Sequence, residues 1–342
     1  PYGAKDLLAT RGIPTTWGAP PCRDQVFDHD ATVIRRLEEA GAVLLGKLAM
    51  VELAGGFGYR FASASLTGAG RNPWDPERWS GGSSSGSGVA VSGGMVGFAI
   101  GTETWGSITT PSSFCGISGI RPTYGRVSRH GAMALSWTMD KIGVMARSVD
   151  DCGTVLSAIA GPDQEDPTTI PEKWKYEPAG AAGRFRLGVV SGAWENPEPE
   201  VESAFRVALG VLGKFAIIEE IHLPDLPFGA TAGTGIAAEA ASAFEDLVES
   251  GRVAELADPG SRLGGYSSGM VYARDYLRAL RLRGKLQKEL DAVLARYDAL
   301  VAPTLPPPRL SSAVRGAFSS QPRRTVSPAV NWSSVGPCPR TS

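Results

Sequence analysis

Histidine and cysteine are scarce in this chain. Its 342 residues include three histidines, His29, His130 and His222, and four cysteines, Cys22, Cys115, Cys152 and Cys338. None falls in an HExxH, CxxC or mixed Cys/His cluster, so the sequence offers no ligand spacing for a metal, and no metal or other cofactor is expected. Four scattered cysteines cannot build a disulfide framework, which points to a reducing compartment and a cytoplasmic location. Net charge is also lacking: 34 Lys and Arg stand against 35 Asp and Glu, a formal charge of −1. No segment gathers the basic residues that a phosphate backbone requires, so nucleic acid is not expected as a partner. There is no long uninterrupted apolar run for a membrane span, and the opening "PYGAKDLLATRGIP" lacks the basic and apolar pattern of an export signal.

Glycine, by contrast, is abundant. The chain has 43, nearly twice the ordinary share of about 7%. The densest stretch, "GGSSSGSGVAVSGG" (81–94), lies between segments apolar enough to pack. Around it the pattern alternates between helix and strand. "ATVIRRLEEAG" reads as an amphipathic helix with Asp30 as N-cap, "AVLLGK" as a strand, "LAMVELAGG" as a helix and "VGFAIGTE" as a strand. "RNPWDPERWS" reads as a loop from its prolines and acids. Farther on, "SVDDCGTVLSAIAG" opens with Ser148 and Asp151 in capping-box spacing, and "RFRLGVV" and "FAIIEEIHLP" flank the helix "PEVESAFRVALGVLGK" as a crossover pair. Two longer helical patterns and the strand "ALVAP" follow. No fixed repeat divides the chain, so a single α/β domain is expected, with a central mostly parallel or mixed twisted sheet covered by helices on both faces.

The Gly/Ser stretch admits three readings. A flexible linker suits its composition but not its apolar flanks. A phosphate cradle lacks the Lys-Ser or Lys-Thr of a Walker loop. The third reading is nucleophilic catalysis. Gly82-Ser83-Ser84-Ser85-Gly86 fits the G-x-S-x-G elbow pattern, with Ser84 as nucleophile and His222 as base, although so short a pattern arises easily in such a segment. With histidine scarce, the alternative base is a lysine kept neutral by burial.

"PYGAKDLLATRGIPTTWG", "RNPWDPERWSGGSSSGSGVAVSGG" and "GTETWGSITTPSSFCGISGIRPTYGRVSRHG", in this order, resemble the amidase signature family. Its members hydrolyse carboxamides with a Ser-cisSer-Lys triad. The resemblance implies Lys5 as the base, Ser83 as a bridging serine after a cis peptide, and Ser107 as nucleophile. It assigns Lys47 in "LLGKLAM" a structural place. The backbone N–H groups of Thr104, Trp105, Gly106 and Ser107 would form the oxyanion hole. Where the family has Gly-Gly-Ser-Ile-Arg, this chain has Trp105-Gly106-Ser107-Ile108-Thr109. Trp105 would then wall the acyl pocket, and Thr109 would remove a carboxylate anchor, which implies a small neutral amide substrate. The A subunits of tRNA-dependent amidotransferases share the family, but "AAEAASAFEDLVESGR" lacks their Arg-Tyr-Asp-Gly stretch. A stand-alone amidase is therefore the first expectation; such an amidotransferase component, or an inactive remnant of the fold, is the alternative. A homodimer is left open. The resemblance also implies missing segments at both ends, with a catalytic domain over 1–310 and an irregular, frameshifted tail over 311–342, where "AVNWSSVGPCPRTS" looks like a damaged family segment.

Overall fold

A computed structural model describes residues 1–172, 174–178, 184–192 and 198–304. The tail expected to be irregular, with Cys338 and the segment compared with the family's late motif, lies outside the described residues. In chain order the first half carries β1 (Tyr2–Lys5), α1 (Thr32–Glu39), β2 (Leu44–Leu48), β3 (Arg71–Asn72), β4 (Asp75–Trp79), α2 (Ser85–Ser92), β5 (Phe98–Glu103), α3 (Thr109–Cys115), β6 (Ser118–Ile120), β7 (Lys141–Ala146) and α4 (Val149–Ile159). The second half carries β8 (Phe185–Ser191), α5 (Pro199–Leu212), β9 (Ala216–His222), α6 (Phe228–Ala243), α7 (Glu245–Glu249), α8 (Pro259–Ser268), α9 (Ala273–Leu294) and β10 (Ala299–Val301).

The central sheet is mixed, in the order β2-β1-β5-β7-β6. β1 runs parallel to β2 and β5, and β7 runs antiparallel to β5 and β6. Successive strand residues face opposite sides, so the side chains of β7 divide between two cores. Ile142, Val144 and Ala146 join the cluster containing Leu37 of α1 and Leu156 and Ile159 of α4. Met145 joins Ala90 and Val91 of α2 and Cys115 of α3. The sheet is thus covered by helices on both faces, as the alternating pattern implies.

The strands do not all share one sheet. Among the described residues, β10, β8 and β9 form a separate parallel sheet, with α5 as the crossover between β8 and β9. Leu187 and Val189 of β8 pack with Phe205 and Leu212 of α5, while Val190 packs with Tyr297 on the other face. α6 joins the two halves: its Ala240 lies in the core of the central sheet, and α6 packs along α9, whose Val293 packs on the smaller sheet. The whole is one domain.

Three local expectations are corrected. "RNPWDPERWS" is a short antiparallel ribbon, β3 with β4, in which Asp75 accepts from Arg78 Nε at 2.9 Å. "LAMVELAGG" is no α-helix but holds one short 3-10 turn, Glu52–Gly55. Leu53 and Ala54 take positive φ, 50° and 55°, in a turn whose Leu53 N–H reaches Trp17 O at 2.9 Å. Asp30 does not cap α1, whose N-cap is Ala31, because its carboxylate accepts from Arg11 N at 2.7 Å. Ser148 caps α4 as expected: its hydroxyl accepts from Asp151 N–H and donates to the Asp151 carboxylate at 2.7 Å, while the reciprocal bond of a full capping box, to Ser148 N–H, is not formed.

Candidate active site

Lys5 is the last residue of the innermost parallel strand β1, between β2 and β5, and is fully buried. Its Nζ donates to Ser83 Oγ at 2.8 Å, to Thr102 Oγ1 at 2.9 Å and to Thr102 O at 3.4 Å. Burial pushes its pKa down from 10.5 to about 7, against the opposing pull of Asp140 and Glu103. Among the described residues no carboxylate comes within ion-pairing distance. An ammonium buried among neutral partners gives up its proton near neutrality.

The Gly/Ser stretch is a rigid turn into α2. Gly81 has φ +79°, and the Gly82–Ser83 peptide is cis. The Ser83 carbonyl accepts from Val51 N–H at 3.1 Å, and Ser84 N–H donates to Ser107 O at 3.2 Å. The two serine loops are therefore laced together through the backbone. The second link of a Lys-Ser-Ser relay, Ser83 Oγ to Ser107 Oγ, is not among the hydrogen bonds formed; such contacts often close only with substrate bound.

The elbow reading fits poorly here. Ser84 is fully buried, and its hydroxyl sits between the Thr102 carbonyl (3.2 Å) and the Thr102 N–H (3.3 Å). His222 ends β9 in the other sheet, exposed and in register with Ser191. Lys47 Nζ donates to Leu8 O at 2.6 Å and Thr15 Oγ1 at 2.7 Å, and pairs with Asp6 at 3.3 Å. Burial lowers its pKa while Asp6 raises it, and none of its partners is a serine.

Between β5 and α3 the chain turns through Thr104-Trp105-Gly106-Ser107. The loop's positive φ, +89°, falls on Gly106, so the family's other glycine can be a tryptophan here. None of the four N–H groups is donated to a protein acceptor among the described residues. The turn is held from within by a residue the sequence did not single out. Glu103, almost fully buried, accepts from Ile108 N at 2.8 Å, Thr109 N at 2.9 Å and Thr109 Oγ1 at 3.1 Å, and faces Arg121 Nε at 3.6 Å. Thr109's hydroxyl is thereby committed to Glu103. Asp140 was equally unmarked; it accepts the Thr104 hydroxyl at 2.6 Å and the Leu135 and Ser136 N–H groups.

A cavity of about 190 Å³ adjoins the Lys5 partner Thr102, with Thr104, Asp140, Lys141, Leu135 and Trp137 in its wall. Trp105 stands outside that wall. Its exposed indole lies at the first turn of α6, where a Cβ on Gly229 would meet Trp105 Cη2 at 3.7 Å.

The family model for Amidase matches residues 1–328. The glutamyl-tRNA(Gln) amidotransferase A subunit of Moorella thermoacetica is 38% identical over 334 residues, covering 90% of this chain and 68% of that protein. Among solved structures, a chain from a vestigial protein complex tied to the origins of an s-triazine catabolic enzyme superposes with a TM-score of 0.80 at 34% identity, covering 90% of this chain and 66% of that one. The native peptide amidase of Stenotrophomonas maltophilia superposes with a TM-score of 0.78 at 30% identity, covering 93% and 71%. The chain thus spans about two thirds of the length of these relatives. With a family match over residues 1–328 and a relative 38% identical across 90% of the chain, this protein belongs to the amidase family of hydrolases.

Proposed function

We propose that the chain hydrolyses a small carboxamide through a seryl acyl-enzyme, with residues 1–310 as its catalytic domain. The observation that carries this reading is the fully buried Lys5 ammonium held on Ser83, beside the loop bearing Ser107. In its neutral form Lys5 Nζ takes the Ser83 hydroxyl proton as Ser83 takes that of Ser107, and Ser107 Oγ bonds to the amide carbon. The developing oxyanion lies on the N–H groups of residues 104 to 107, where losing one donor costs about 100- to 1000-fold in turnover. The proton then returns through Ser83 to the nitrogen, the C–N bond breaks, and water releases the acid by the reverse relay. With threonine at position 109 and its hydroxyl committed to Glu103, that residue offers no charge to the acyl group, so the atom next to the scissile carbonyl is expected to be uncharged.

A second reading, an ammonia-producing component of an amidotransferase, is favoured by the 38% identity to such a protein. Ammonia release by the chain alone, without partner or ATP, separates the two. We expect release from propionamide and little from malonamate; release from neither, but from glutamine once a partner is added, would overturn the first reading.

A further inference from the structure

The cavity beside Thr102 carries charges of both signs. Arg129 donates from Nη2 to Tyr124 Oη and Thr168 Oγ1, each at 2.9 Å, and faces Asp166 at 3.6 Å. Asp140 is satisfied by two backbone N–H groups and the Thr104 hydroxyl. Lys141, the first residue of β7, differs. Its Nζ donates to the carbonyls of Thr104 (3.3 Å) and Met139, and no carboxylate lies within 4.0 Å of it among the described residues. Two neutral acceptors leave one N–H able to donate, and Asp140 and Glu103 favour the charge without pairing with it, an arrangement that an anion completes.

We propose that Lys141 binds a carboxylate of the substrate, so that the amide cleaved at Ser107 carries its charge a few bonds away from the scissile carbon. This rests on the amide-hydrolase reading and narrows its neutral acyl group to the atoms next to Ser107. Lys5 Nζ donates to the Thr102 carbonyl and Lys141 Nζ to the Thr104 carbonyl, two residues farther along the chain that leads to Ser107, and both threonines line the cavity. A carboxylate at Lys141 is carried beyond the atoms next to the scissile carbonyl, on the acyl side or on the amine. Burial and the cations Arg121 and Arg129 press the Lys141 pKa down to about 8, while Glu103 and Asp140 oppose them. Carboxylate binding therefore weakens as pH rises through about 8.

The test compares kcat/KM for two charged and uncharged pairs: succinamate with butyramide, and N-propionylglycine with N-propionylmethylamine. Lys141→Met lowers the charged-to-uncharged ratio about 10- to 100-fold for one pair, and Lys141→Arg restores part of it. The affected pair tells whether the carboxylate sits on the acid or on the amine. Equal ratios in all three proteins for both pairs overturn the proposal. Calorimetric binding of succinamate and N-propionylglycine to Ser107→Ala, with and without Lys141→Met, gives the same contrast without turnover. A failure of amide hydrolysis is thereby distinguished from a failure of carboxylate recognition: affinities for both ligands indifferent to Lys141 contradict the proposal whatever the enzyme cleaves.

Discussion

A lysine with a pKa of about 7 couples activity and stability to pH through one proton. Below that value Lys5 is protonated and cannot accept from Ser83, so kcat/KM for an uncharged amide should fall about tenfold per unit on the acid side, read from a pH profile. Stability moves in the same direction. The folded pKa lies below the unfolded value of 10.5, so between about 7 and 10.5 the unfolded state binds more protons. Stability from this group therefore rises with pH across that window and is flat below it. Urea denaturation at pH 7 and pH 9 should show the rise in the wild type and a smaller one in Lys5→Met; equal slopes would show that the buried ammonium carries no such penalty. Lys5, Ser83 and Ser107 were singled out through the resemblance of the runs around them to the family, and the fold sets Lys5 on Ser83. Glu103 and Lys141 were not, because an acid ending a strand and a lysine opening one look like ordinary solvated side chains until folding sets the first beneath the start of α3 and the second in the cavity wall. Asp140 and Thr102 were hidden for the same reason.

At the scale of elements, glycine content has two different meanings. In α2 it permits close approach: a Cβ on Gly86 would lie 2.6 Å from Ala49 N and 2.8 Å from Ala49 O, where backbone cannot retreat. Gly86→Ala should cost about 1 to 3 kcal/mol and loosen the turn that presents Ser83. Gly210 in α5 meets nothing within 4 Å, so Gly210→Ala should gain about 0.5 to 1 kcal/mol, since only the helix-propensity difference remains. Paired denaturation curves check both signs. Helices with a clear apolar stripe, α1 and α4, were readable, as was the β8-α5-β9 crossover. The segment before Gly55 was not: its helical spacing is overridden by the Leu53 N–H bond to Trp17 O, a contact distant in sequence. The β3–β4 ribbon escaped for the opposite reason, since Pro73 and Pro76 mark a loop by composition while Arg71 and Trp79 still pair.

Across the whole molecule, the proposed site is assembled where the chain crosses the central sheet. β1 brings the lysine, the turn into α2 brings Ser83, and the turn after β5 brings Ser107, and all three strands or turns meet within the order β2-β1-β5-β7. The smaller sheet stands apart and contributes β9 and its His222, which the site does not use. The separate β10-β8-β9 sheet was not legible, because the pattern of apolar residues fixes only which strands are buried, not which are neighbours. The family's relatives are longer than this chain, and their names point to different activities. The chemistry of this chain is therefore best decided on its own residues. Treating the purified chain with a fluorophosphonate, in which a serine oxygen bonds to phosphorus and fluoride leaves, and mapping the adduct by peptide mass spectrometry tests the triad directly. An adduct on Ser107 that Ser107→Ala and Lys5→Ala both abolish is expected; an adduct on Ser84, or labelling of Ser107 that persists without Lys5, would contradict the triad.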